Sequence, residues 1–199
     1  MKRSYLLLVL ISVLLLSCSK EELTIQPTKQ ASVSLDVRQY DKWIYFSFLN
    51  GIIETPVNPE ESLEWDIAFH RWDVKTNGGI AGKGNGSAYM SELTSLDKNL
   101  IISNMQESQF KSNVLIKTYM KTPDMTQGPE QRVDVPANPE LCKWMVVNMS
   151  TIPPGYNMSD KIFLVKSASG KLGAIKFKSY MNETAVKGFV TFEYLYPIN

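Results

Sequence analysis

Apolar and polar residues alternate along most of this chain with a period of two, the spacing of a half-buried strand. The run 32–38 sets Val33, Leu35 and Val37 against polar neighbours. The run 43–48 is rich in aromatic residues and stops at Asn50-Gly51, a strong turn pair. The run 63–74 carries apolar residues on both faces, as a central strand does. Runs 113–120, 143–149, 161–166 and 172–180 are further short stretches of β-branched and aromatic residues, with Ser169-Gly170-Lys171 as a turn between the last two. The run 186–196 places Phe189, Thr191, Glu193 and Leu195 on one face and Val190, Phe192, Tyr194 and Tyr196 on the other. No segment shows a sustained helical stripe; the best candidate, 60–66, is barely two turns. The pattern predicts an all-β fold: a single compact domain of antiparallel strands, without internal repeats.

Two proline-rich connections interrupt this pattern. Residues 121–141 contain Pro123, Pro129, Pro136 and Pro139, and residues 150–159 contain Pro153, Pro154 and Gly155. Loops this long in a compact β domain are usually functional or disordered. Each has a methionine near its start: Met125 within the first and Met149 just before the second.

The first residues add a compartment. Lys2 and Arg3 precede an almost unbroken apolar run, 5–16, which is short for a membrane span and reads as a signal peptide. The run ends in Leu15-Leu16-Ser17-Cys18, which resembles a bacterial lipobox. The expected organisation is therefore a signal peptide at 1–17, a lipidated Cys18 with a polar tether at 18–31, and the β domain at 32–199. Several acyl chains on Cys18 give stable membrane attachment where one chain would be marginal. Ser19-Lys20-Glu21-Glu22 resembles the acidic signal that sends some Gram-negative lipoproteins to the outer cell surface. The expected location is the outer membrane, lipid-anchored and facing the exterior. With Cys18 committed, Cys142 has no partner for a disulfide, and whether its thiol is merely buried or reactive stays open. Lys and Arg number 21 against 20 Asp and Glu, with no basic run, so nothing points to nucleic acid.

Candidate chemistry is sparse. The one histidine, His70, falls inside a strand pattern, which favours a structural role over that of a general base. Carboxylates are frequent between 60 and 73, but spacing alone does not set a pair across a cleft. The stretch "NGGIAGKGNG", 77–86, lacks the phosphate-loop spacing: asparagine stands where the first glycine is needed and glycine follows the lysine. It reads as a turn. The chain is not expected to be an enzyme. Of its nine methionines, Met120, Met145 and Met181 sit on strand patterns, whereas Met125, Met149 and Met158 fall in or beside the two long connections. A thioether is a soft, neutral ligand suited to copper(I) and to haem iron, particularly ferrous iron. Two such loops could clamp a flat porphyrin, or Met125 could simply be exposed and unused.

Several long stretches resemble the HmuY family of outer-membrane haem-binding lipoproteins, haemophore-like proteins of the cell surface. They are "YDKWIYFSF" at 40–48 with Gly51, "WDIAFHRWDVKTNGG" at 65–79, "GKGNGSA" at 82–88 and "KGFVTFEYLYP" at 187–197. The resemblance implies an all-β fold in which loops at one end clamp haem (iron protoporphyrin IX) through two axial side chains, histidine in some members and methionine in others. Here the first ligand position, just past "KTYM", falls on Met125. The second, five residues after Trp144, falls on Met149, with Met158 as its rival and Met120 as the rival of Met125. Tyr119, Trp144, Ile152 and Tyr156 are pocket candidates by proximity. The implied function is to bind haem, preferentially ferrous, and pass it to an outer-membrane TonB-dependent haem transporter, with host haemoproteins as a possible source. The competing expectation is a surface β module that binds a glycan or host protein without haem.

Overall fold

Period-two alternation turns into layers once strands pair, because each strand then presents one row of side chains inward. The computed structural model describes residues 26–148, 150–152 and 155–199. Its first strands are β1 (Lys29–Asp36), β2 (Ile44–Ser47), β3 (Gly51–Ile53), β4 (Ile67–His70), β5 (Asp73–Thr76) and β6 (Ser87–Met90). A short helix, α1 (Lys98–Asn104), precedes β7 (Val114–Thr118), β8 (Val133–Ala137), β9 (Met145–Asn148) and β10 (Gly155–Met158). The order closes with β11 (Phe163–Lys166), β12 (Leu172–Met181) and β13 (Lys187–Ile198). Among the described residues the strands form a five-stranded sheet, β1-β13-β12-β11-β6, and a four-stranded sheet, β3-β2-β4-β5. Two separate hairpins, β7–β8 and β9–β10, complete the all-β fold, and the pairings of the named strands are all antiparallel.

The two larger sheets pack face to face through rings. Phe192 on β13 lies 5.3 Å from Phe46 on β2 and 5.3 Å from Phe69 on β4, and Phe177 on β12 lies 6.4 Å from Phe69. Ile67, Val74, Phe163, Val165, Ile175 and Val190 fill the same layer. The outer face of the five-stranded sheet is covered by Ile101 of α1 and by Phe110, whose ring meets Tyr89 at 4.9 Å. Helix α1 starts where the Asp97 carboxylate accepts the amides of Asn99 and Leu100, an N-cap. The outer face of the four-stranded sheet, with Tyr45 and Ala68, is covered by Ile116 and Val135 of the β7–β8 hairpin. At one end Asp66 joins the sheets, accepting the amides of Phe48 at 2.8 Å and Ala168 at 2.9 Å.

Several boundaries differ from the sequence expectation. Residues 63–74 are not one central strand: β4 and β5 fold back through Arg71-Trp72, so the apolar residues on both faces belong to two short strands. The proline-rich connections are also shorter than expected, because β8 lies within 121–141 and β10 within 150–159. Pro136 is accommodated because β8 pairs only with β7, leaving its other edge free of a ladder. Residues 60–66 form no helix: the chain turns at 59–61, with the Asn58 carbonyl accepting the amides of Glu61 and Ser62, and is irregular from there to Asp66. The polar tether expected up to Ala31 ends earlier, since Lys29 already pairs with Tyr196. Cys18 and the proposed signal peptide lie outside the described residues. The glycine-rich stretch is a turn: Gly78 bridges Asn85, and Gly79–Ala81 makes one 3-10 turn.

Phe192 touches rings from both sheets, so truncating it leaves a void that neither sheet can close alone. Phe192→Ala is expected to lower stability by about 3–5 kcal/mol in denaturant unfolding, with little change in the slope of the transition.

Candidate functional site

Both hairpins are fastened to the same end of the sandwich, the end that carries the β4–β5 turn. The Thr118 hydroxyl on β7 donates to Asp73 Oδ2 at 2.7 Å. The Trp144 indole N–H, just before β9, donates to the Trp72 carbonyl at 2.8 Å. The linker from β1 to β2 passes here as well, since the Tyr40 carbonyl lies 2.8 Å from His70 Nε2. A carbonyl can only accept, so Nε2 carries the proton. His70 is fully buried against Trp43 and holds this linker in place. It has the structural role that its strand position predicts.

From this base the β7–β8 connection, 119–132, projects outward. Asp124 organises its tip by accepting the Thr126 hydroxyl at 2.7 Å, the Thr126 amide at 2.9 Å and the Gln127 side-chain amide at 2.9 Å. Gln131 closes the loop from the other side, accepting the Asp124 amide at 2.9 Å and donating to the Asp124 carbonyl at 2.8 Å. Met125 sits within this network and is 91% exposed. Its backbone is held by its neighbours while its sulfur faces solvent. The rival, Met120, is half-buried against the cluster of Trp43, Tyr45 and Trp65. Tyr119 lies at the base of the loop with the Arg132 guanidinium 5.0 Å above its ring.

The second hairpin is pinned by aromatic contacts. Trp144, expected as a pocket wall, is instead fully buried: its ring stacks on Phe177 at 4.6 Å and its N–H is satisfied by Trp72. A large ring with a bonded N–H is a stable core element, and that is how β9 is fixed. Tyr156 on β10 is half-buried, 5.5 Å from Tyr180, with the Lys187 ammonium 4.4 Å above its ring. Ile152 is fully exposed, and Met158 is 40% exposed opposite Met145. Asn148 and Gly155 are the last pair before the tip. Met149 lies outside the described residues, and so does the approach of its sulfur to Met125. The structure thus brings Trp144 and Tyr156 together on Tyr180, and Tyr119 onto Arg132.

Arg71 reaches the Arg38 carbonyl at this end, while Arg132 covers Tyr119 and Lys187 covers Tyr156. A cavity of about 470 Å³ lies between the stretch Arg38, Gln39, Tyr40 and Asp41 and the start of the first loop, Lys121 and Thr122. Among the described residues no three His, Cys, Asp or Glu side chains gather to hold a metal ion. Cys142 is settled by its surroundings: the thiol donates to the Val74 carbonyl at 3.6 Å, and burial pushes it up to about 12, so it stays protonated. One group escapes sequence reasoning altogether. Lys75 sits on a strand interior with its ammonium 4.5 Å from the Trp43 ring, and burial lowers its pKa to about 8. Its neighbours Trp43, Tyr45 and Trp65 surround it only after β2 pairs with β4, and no local spacing announces that.

Comparison with known proteins gives this geometry a family. No curated protein sequence gives a significant match. A protein from Bacteroides vulgatus ATCC 8482, described as HmuY-like and haem-binding, has a solved structure that superposes with a TM-score of 0.68 at 27% identity, over 85% of this chain and 93% of that one. A protein (BF2707) from Bacteroides fragilis NCTC 9343, described as a lipoprotein, superposes with a TM-score of 0.68 at 30% identity, covering 85% and 90%. The fold is shared with an apo HmuY analog from Tannerella forsythia, TM-score 0.66 at 24% identity, covering 86% and 97%. The model of the HmuY protein family matches residues 39–194, from the linker before β2 to within β13 and including both hairpins, and the chain belongs to that family.

Proposed function

We propose that this chain is a haem-binding lipoprotein of the outer cell surface, which takes up haem at the loop-bearing end and hands it to an outer-membrane TonB-dependent transporter. Met125 carries the reading: an exposed thioether on a loop whose backbone is already fixed by Asp124 and Gln131. Fixing the backbone beforehand reduces the entropy that ligation must overcome. The donor set suits the ligand, because a thioether needs no deprotonation to bind iron and is soft enough to favour the ferrous state. Met125 and Met149 are the proposed axial pair. Tyr119, Tyr156 and Ile152 are the proposed walls, the first two offering ring faces and the last an exposed aliphatic surface. Cys18 is the proposed lipid attachment, which places the domain at the membrane with its haem end free to meet haem or a host haemoprotein. The role is capture and transfer, with no bond in the porphyrin made or broken.

Absorbance titration of the purified protein with ferric and ferrous haem tests this. A low-spin ferrous spectrum is expected, tighter under reduction, and Met125→Ala or Met149→Ala should each weaken binding about tenfold or more and abolish the low-spin bands. No spectral change in either redox state would remove the haem reading and leave a β module for another surface ligand.

A second test uses pH. Hydrogen bonds from the Thr126 hydroxyl, then its amide, hold the Asp124 carboxyl below the usual carboxylate range. A carboxyl whose native pKa is depressed supports the loop fully above the unfolded value of about 3.9, and that support is lost as pH falls through the lower native value. Thioethers do not titrate, so haem affinity should stay flat from about pH 8 to pH 5 and fall only in the acid range. An imidazole ligand would instead give a decline centred near pH 6.5.

A further inference from the structure

The β4–β5 turn contains a residue that the backbone alone would not choose. The turn has two residues, Arg71 and Trp72, between the paired His70 and Asp73. Arg71 has φ 54°, the left-handed region that glycine enters freely and a side-chain-bearing residue does not. Strained non-glycine residues of this kind cluster at functional sites.

The side chain explains why arginine is kept. Nη1 donates to the Arg38 carbonyl at 2.8 Å, and the guanidinium lies 4.5 Å from the Tyr40 ring and 5.9 Å from Trp72. These contacts orient the group but leave one edge of its fork unused: Nε is buried with no hydrogen-bond partner. The Tyr180 hydroxyl, in the same cluster, is also buried without a partner. Burial pushes the Tyr180 phenol up to about 12, against the pull of the Arg71 charge, so it remains an O–H donor. The nearby carboxylates are committed elsewhere, Asp36 to Arg38 and Asp73 to the Thr118 hydroxyl beside His70. Two donors without acceptors therefore lie at the loop-bearing end, Arg71 Nε beside Tyr40 and Trp72 and the Tyr180 hydroxyl on the ring that packs against Tyr156. A planar guanidinium edge matches a carboxylate, which it binds through two parallel N–H···O bonds.

We propose that Arg71, aided by Tyr180, is the carboxylate-docking point of this site, and that it takes a propionate of the porphyrin. The inference rests on the haem reading and adds the residue that selects a porphyrin with free carboxylates and sets its rotation between the loops. Both donor atoms are closed to solvent in this structure, so docking requires the half-buried Arg71 or Tyr156 side chain to turn aside.

The test compares haem with haem dimethyl ester, whose carboxylates are capped, by absorbance titration of the wild-type protein, Arg71→Gln, Arg71→Gly and Tyr180→Phe. Arg71→Gly relaxes the turn and keeps the fold accessible if the glutamine variant is unstable. The wild type is expected to bind haem about 30-fold more tightly than the ester, as for a lost charge-assisted pair. Both Arg71 variants should reduce that ratio to about one with the axial-ligand bands unchanged, and Tyr180→Phe should reduce it partly. Equal binding of haem and ester by the wild type, or a full ratio retained without Arg71, would overturn the docking point and leave the haem reading standing. Binding of neither porphyrin would overturn both.

Discussion

The stack of Trp144 on Phe177 joins the rigid part of the molecule to the part that reaches outward. Phe177 belongs to the inter-sheet layer, touching Phe69, Phe163 and Phe192 at 5.4 to 6.4 Å. Trp144 belongs to the β9–β10 hairpin, and its indole also grips the β4–β5 turn through the Trp72 carbonyl. One pair of rings therefore makes the position of the second loop depend on the packing of both sheets. The Thr118–Asp73 hydrogen bond does the same for the first loop. Because close-packed interiors shift little, two hairpins that share no ladder can still hold a fixed relation to each other.

That arrangement divides the labour between core and tip. Ring contacts and buried bonds fix where each hairpin leaves the sandwich, while the outermost chain is held by polar contacts that tolerate water. Asp124 is exposed and Gln131 half-buried, and between them they bond Thr126, Gln127 and the loop backbone at the Met125 tip. An apolar side chain can then be presented without an apolar surface around it to bind unwanted partners. Arg71 shows the opposite economy: its backbone is strained so that a charged side chain can stand at the junction of the turn, the linker and the hairpins.

Much of this was legible in the chain. Alternation over 186–196 separates the inner row, Val190, Phe192 and Tyr194, from the outer one as the buried pattern of β13 does. Asn50-Gly51 marks the β2–β3 turn, where Gly51 has φ 79°. The β4–β5 turn stayed hidden because Arg71-Trp72 contains none of the residues that usually announce a turn, and two strands then look like one. β8 and β10 were masked by prolines and a glycine, which are tolerated because these strands pair on one side only. Trp144 reads as a pocket wall by proximity, whereas its ring is buried, since proximity in sequence does not reveal where an indole N–H finds its acceptor. Met125 was readable as an anomaly, a methionine with no core to join; the loop bonds that hold it come from Asp124 and Gln131, whose pairing needs the chain to have turned.

The direction of β1 has a further consequence. Lys29 pairs with Tyr196, and the strand then runs toward Asp36, opposite Phe189, at the end where the hairpins rise. The chain thus enters the domain from the pole away from the loops, separated from them by a strand of eight residues, roughly 26 Å at 3.3 Å per residue. A leash fastened to a bilayer through this entry would hold the domain by its base and leave the opposite pole facing the medium, so that tether and loops would not compete for the same surface.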